Sequence, residues 1–297
     1  MCCFARPILS VFGTKIFARL SGKGTQYLAY EMSFESEEPN AMILPIPVKL
    51  PSVTEAVKFI DLSEYEDFFD DLASAYPSID LGLGCSKSSL SKLQVHKVGN
   101  FIASFVPTVE DFEKLDTQFS IPKATWLKIP AYSDYGFVVF QLAELTGKPH
   151  PMAFEFITRL DTIFFPTVHI HDGEIHTEED FDHNLFLQHA GFDSVVDRYA
   201  GSHLRDAATD FVRSKEVASS SCDISRTKGI VAPDLLIHRH DLYGQLENKD
   251  MVFAPNGDPL KPSLNLKKYK LILPWAIVIG CAGWFFNRRS KIKKANQ

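Results

Sequence analysis

The chain has 297 residues, 45% of them hydrophobic and 23% charged, with a formal net charge of −6. That is ordinary for a globular protein and long enough to bury a sizeable core in one large or two modest domains. The charge is unevenly spread: residues 261–297 hold nine Lys or Arg and no Asp or Glu, against twenty-two basic and thirty-seven acidic side chains before them. An acidic body of this kind argues against nucleic-acid binding and gives the basic tail a job of its own. The five cysteines, at positions 2, 3, 85, 222 and 281, form no C-x-x-C pair and no disulfide framework. A reducing compartment is expected, and the absence of an N-x-S/T sequon agrees with it.

In chain order, "TKIFARLS" (Thr14–Ser21) and "QYLAYEMSF" (Gln26–Phe34) read as strands joined by a turn at "GKG". "AMILPIPVKL" is a buried extended run in which Pro45 and Pro47 demand an edge or an irregular strand. Ser63 and Glu66 form a capping box. Tyr65, Phe68, Phe69, Leu72 and Tyr76 then repeat at helical spacing and predict one apolar helix face. "LGLGCSKSSLS" (Leu81–Ser91) reads as a loop, and Leu93–Pro107 as two strands broken at Gly99-Asn100. Thr108 caps a short helix through Leu115. "FVVFQLA" and "MAFEFIT" are further strands, followed by a hairpin near residue 172. "SHLRDAATDFVRSKE" reads as a late helix, residues 218–228 as a flexible link, and the stretch from Gly229 as one or two last strands. The 24 Phe suit a core of packed aromatic strands. The sum is an α+β fold, mostly antiparallel sheet with a few short helices. It spans 1–255, with a sub-boundary near 160–165.

After a linker at 256–270, Leu271–Phe286 runs for sixteen residues without a charge. As a helix it spans about 24 Å against a bilayer core of about 30 Å. Trp275 and Trp284 near its ends, and Lys268, Lys270 and the basic tail at 287–297, are the belts and snorkelling cations that let a short helix cross. A C-terminal single transmembrane helix is therefore expected. "MCCFARPILSVFGTK" lacks a basic n-region, so it does not read as a secretory signal. The body is expected in the cytoplasm, although the basic tail would itself prefer that side.

"MILPIPV", "VGNFIASFVPT", "YGFVVFQL" and the strand beginning "PMAFEF" follow one another from the N-terminal Cys-Cys-Phe. This order resembles an uncharacterised bacterial family with a "WVLPVP"-like strand and a later "VG-x-Y/F" strand pair. The resemblance covers roughly Met1–Thr167, and Met42 and Ile43 stand where that family tends to have Trp and Val. Its motifs are structural, so it implies a domain and no reaction.

Two stretches carry candidate chemistry. In "HIHDGEIH", Asp172-Gly173 is a two-residue hairpin turn signal. Alternation across such a hairpin places His169, His171, Glu174 and His176 on one face. Imidazoles and a carboxylate suit a divalent transition metal such as zinc, or Fe, Mn or Ni. The pattern is similar to the His-x-His pair of cupin-like barrels, with Glu174 standing too early for it. His183 and His189 follow within reach, beside the acidic "TEEDFDH". A solvated hairpin face or a pH-sensitive contact would show the same alternation. The "HRHD" run at His238–Asp241 alternates on a strand and reads as surface.

The second stretch is the start of the chain. Removal of Met1 would expose Cys2, a thiol nucleophile with its own α-amine as base. N-terminal-nucleophile amidases such as the choloylglycine hydrolases and class II glutamine amidotransferases look similar at their start. Here Arg19 would anchor an acyl carboxylate and Asn40 would donate to an oxyanion. Palmitoylation of Cys2 and Cys3, or a plain structural thiol, fits the same residues. The sequence thus leaves three readings side by side: a membrane-anchored binding or scaffolding module for a protein or small molecule, a cysteine amide hydrolase, and a metal protein.

Overall fold

A computed structural model describes residues 3–76, 97–98, 101–197, 205–207 and 209–255. Cys2, the loop at 81–91 and the segment Leu271–Phe286 lie outside the described residues. Among the described residues no helix is long and apolar enough to cross a membrane.

The chain is mostly β-sheet with a few short helices. The first strands are β1 (Cys3–Phe4), β2 (Ser10–Leu20), β3 (Thr25–Glu35), β4 (Ala41–Ile46) and β5 (Val57–Asp61). Next come helix α1 (Phe68–Ser74), β6 (Lys97–Val98), β7 (Ile102–Val106) and helix α2 (Lys123–Trp126). β8 (Gly136–Gln141), β9 (Thr146–Pro149), β10 (Met152–Ile157), β11 (Ile163–Phe165) and β12 (Glu178–Leu187) follow. Helix α3 (Ala190–Val195), β13 (Val212–Arg213), β14 (His238–Glu247) and β15 (Met251–Phe253) complete the order.

A large sheet runs β13-β14-β12-β2-β3-β10-β5, with β9 on β3 and β6 on β9. Its pairings are antiparallel except β12 with β2 and β6 with β9. A smaller sheet has the order β1-β4-β8-β7, and β11 pairs β15. Strand alternation sorts the side chains into layers. Ile16, Leu28, Tyr30 and Phe154 of the large sheet share a core with Met42, Leu44, Val138 and Phe140 of the smaller one. Phe17, Ala29 and Phe186 point the other way and pack against α1 and residues 218–237. The far side of the smaller sheet, with Ile43, Phe137 and Val139, is covered by Phe112, Trp126 and Tyr132.

Pro45 lies inside β4, yet it is tolerated for the reason the sequence suggests. β1 pairs only with Met42 and Ile43, so among the described residues one side of β4 has no ladder to break beyond them. Helix α1 buries Phe68, Phe69 and Leu72 as the spacing predicts, with Tyr65 and Tyr76 buried beside it. It begins later than the capping box: Asp67 is its N-cap, with no side-chain cap bond, while the Ser63 amide donates to Asp61 Oδ1. Residues 109–114 form a 3₁₀ turn after Thr108.

Three expectations are corrected. The described part of the late helix is a turn and a strand. Asp206 Oδ1 accepts from the Thr209 amide and hydroxyl, Asp210 takes a φ of 58°, and Val212 pairs with Arg239. The segment read as a flexible link is built into the second core: Ala218 and Cys222 are buried, and the Asp223 amide donates to the Tyr65 hydroxyl. The hairpin at 172 does not form a ladder. Gly173 makes the turn at a φ of 86°, but residues 171–177 belong to no strand, and Ile170 instead bridges Cys3 in parallel.

Candidate functional site

The chain's start and the histidine segment are threaded together. The Phe4 amide donates to the Ile170 carbonyl at 2.9 Å, and the Ile8 amide to the His171 carbonyl at 3.0 Å. From the other side, Asn248 clamps the segment. Its Oδ1 accepts from the His169 amide at 2.7 Å, and its Nδ2 donates to the His169 and His176 carbonyls at 3.0 Å each. With its backbone spent on these partners, the segment cannot form the expected hairpin. It is instead pressed onto the end of β12.

There the imidazoles form a column. The His169 ring lies 5.0 Å from that of His171 and 5.2 Å from that of His183, with interplanar angles of 21° and 14°. Phe181 packs on His169 at 4.2 Å. His169, His171 and Glu179 each offer a ligand atom, and these atoms lie within 4.8 Å of one another. Burial pushes His171 down to about 4 and His169 further still, so both rings are neutral at physiological pH. His171 Nε2 is buried without a hydrogen-bond partner, and so is Nε2 of His183. Burial also raises the Glu179 carboxyl, with His176 opposing.

Two expected ligands are elsewhere. Glu174 pairs with Lys128 at 2.6 Å, and His176 Nε2 with Asp172 Oδ2 at 3.0 Å. Without a ladder to hold the alternation, both turn to solvent and to the nearest opposite charge. Glu179 takes their place, because alternation on β12 puts Glu179, Phe181 and His183 on one face. Its signal was present in "TEEDFDH". Asn248 had none, since a side chain that clamps distant backbone has no local pattern.

His238 and His240 are buried, which corrects the surface reading of "HRHD". β14 sets them opposite Leu187 and Leu185. His238 Nε2 meets Asp193 Oδ1 at 2.7 Å, and His240 Nδ1 lies 3.0 Å from the Asp210 carbonyl. They are partnered core histidines and join no metal cluster among the described residues.

Arg19 and Asn40 are each committed to the scaffold. The Arg19 guanidinium donates to the Ile230 and Gly229 carbonyls, both at 2.6 Å, and lies over the Tyr27 ring. Asn40 accepts from the Arg6 and Ala41 amides and donates to the Arg6 carbonyl. Cys3 and Cys222 are buried thiols.

No family model matches the chain. Several solved structures are similar to it. The crystal structure of baculovirus P35 is 12% identical, covers 82% of this chain and 96% of its own, and has a TM-score of 0.43. A mutated baculovirus P35 after caspase cleavage is 11% identical over 80% of this chain and 98% of its own, with a TM-score of 0.39. The caspase-8/P35 complex gives 11%, 81%, 95% and 0.38.

Proposed function

We propose that the body is a binding module whose ligand is a transition metal, held by His169, His171 and Glu179. The observation that carries this reading is the convergence of two neutral imidazoles and a carboxylate within 4.8 Å. A tetrahedral zinc ion about 2.1 Å from each donor needs them about 3.4 Å apart, so the set draws together by at most about 1.4 Å on binding. Neutral imidazoles need lose no proton to bind, which favours the metal at physiological pH. Three protein donors leave coordination open for a further ligand. Asn248 orients the segment, as outer partners do in metal sites.

Calorimetric titration of the purified chain with zinc tests this reading. About one ion per chain is expected, and none in the double variant His169→Ala, His171→Ala. Stoichiometric binding that survives the double substitution, or no binding by the unaltered chain, would overturn it.

We further propose that Leu271–Phe286 tethers this module to a membrane. Sixteen uncharged residues with a tryptophan near each end, followed by a basic flank, support the reading. Deleting 267–297 is expected to move the protein from the membrane to the soluble fraction. Persistence with membranes would rule the tether out.

A further inference from the structure

Beside the metal cluster lies a second feature that the metal reading does not use. A cavity of about 220 Å³ opens between the ends of β12 and β14 and the start of β15. Phe181, Leu242, Leu246 and Met251 line it, and Glu247 and Lys249 stand at the same opening. Leu242 and Leu246 lie on either side of Gly244, which sits opposite Phe181. Gly244 has a φ of +80°, and a Cβ placed on it would meet nothing within 4 Å.

The cavity's size and lining define what it takes. An apolar cavity of about 150 Å³ holds benzene, so this one suits an aliphatic group of six or seven heavy atoms and is too small for a drug-sized ligand. The charges at the opening define the head. Lys249 Nζ and Glu247 Oε2 pair at 2.6 Å, both more than half exposed. A charged head would leave one of them facing a like charge. A hydroxyl accepts from the ammonium and donates to the carboxylate at once, and keeps the pair neutral. We propose that this cavity binds a short-chain aliphatic alcohol, with its chain against Phe181 and Leu242 and its hydroxyl between Lys249 and Glu247.

This site stands apart from the metal reading, although Phe181 is common to both. Its ring packs on His169 and its side chain lines the cavity. Binding of 1-hexanol to the full chain, followed by the His169 imidazole resonances, tests the proposal. Saturable binding that shifts His169 is expected, with a dissociation constant on the order of a millimolar or below. Hexanoate and hexylamine are expected to bind more weakly, because each sets its charge beside a like charge at the opening. Leu246→Trp fills the cavity and is expected to remove hexanol binding while leaving the unfolding midpoint near that of the parent. Met251→Trp is the second filling variant, should Leu246→Trp fail to fold. Equal binding by the filled variants, equal binding of the three head groups, or no saturation at about 10 mM hexanol would each overturn the proposal. Absence of zinc binding by the unaltered chain, with hexanol binding intact, would count against the metal reading alone.

Discussion

Replacing Glu31 with alanine is expected to destabilise the protein by about 3–5 kcal/mol. Glu31, on β3, is 1% exposed. Its Oε1 lies 3.0 Å from the Nζ of Lys15 on β2 and 3.0 Å from the Nζ of Lys148 on β9. Lys15 also meets Asp70 of α1 at 3.0 Å. Burial works against the Lys15 ammonium, yet Glu31 and Asp70 hold its pKa above the usual lysine value. One buried carboxylate thus compensates two cations at the junction of three strands. Removing it leaves Lys148 without that partner and Lys15 with an exposed one only. Urea unfolding measures the loss. A change below about 1 kcal/mol, the range of exposed ion pairs, would show that water already screens the cluster.

The second large effect depends on pH. Asp250 is buried, and burial pushes its carboxyl up to about 6 against the hydrogen bonds of Tyr132, Thr167 and Val168. The Tyr132 hydroxyl donates to Oδ2 at 2.7 Å and the Thr167 amide to Oδ1 at 2.9 Å. A carboxyl raised in the folded state binds protons better there than in the unfolded chain. Its contribution is therefore complete below the ordinary carboxylate range and is lost as pH rises through about 6. Two pH units correspond to about 3 kcal/mol. Asp250→Asn keeps the acceptor for Thr167, and the Tyr132 oxygen can accept from the new amide. The variant is expected to match the parent near pH 4 and to exceed it in stability by about 3 kcal/mol near pH 8. Parallel stability curves for the two proteins across that range would contradict the burial account.

The strands were readable because side-chain period sets them directly. Within Gln26–Phe34 one face carries Leu28, Tyr30, Met32 and Phe34 and the other Tyr27 and Ala29 beside Glu31, and β3 is central with cores on either side. The aromatic face of α1 was equally plain. What could not be read were the places where distant backbone competes. "HIHDGEIH" carries a strong hairpin signal, but β1 and Asn248 take the hydrogen bonds a hairpin would need. The same competition unmade the late helix, where pairing with β14 overrides local propensity. His169 and His171 were therefore found from spacing, whereas Glu179 required knowing that the segment docks on β12. Arg19 shows the converse. A cation on an early strand suggested an anion partner, and the fold supplied two carbonyls instead.

The decisive measurement is zinc affinity in Glu179→Gln beside Glu174→Gln, titrated under the same conditions as the parent. A metal held by His169, His171 and Glu179 predicts a loss of at least about ten-fold in the first variant and no change in the second. A loss confined to Glu174→Gln would restore the hairpin set. Equal affinities in all three proteins would show that the cluster beneath β1 is a packed core of neutral histidines and not a metal site.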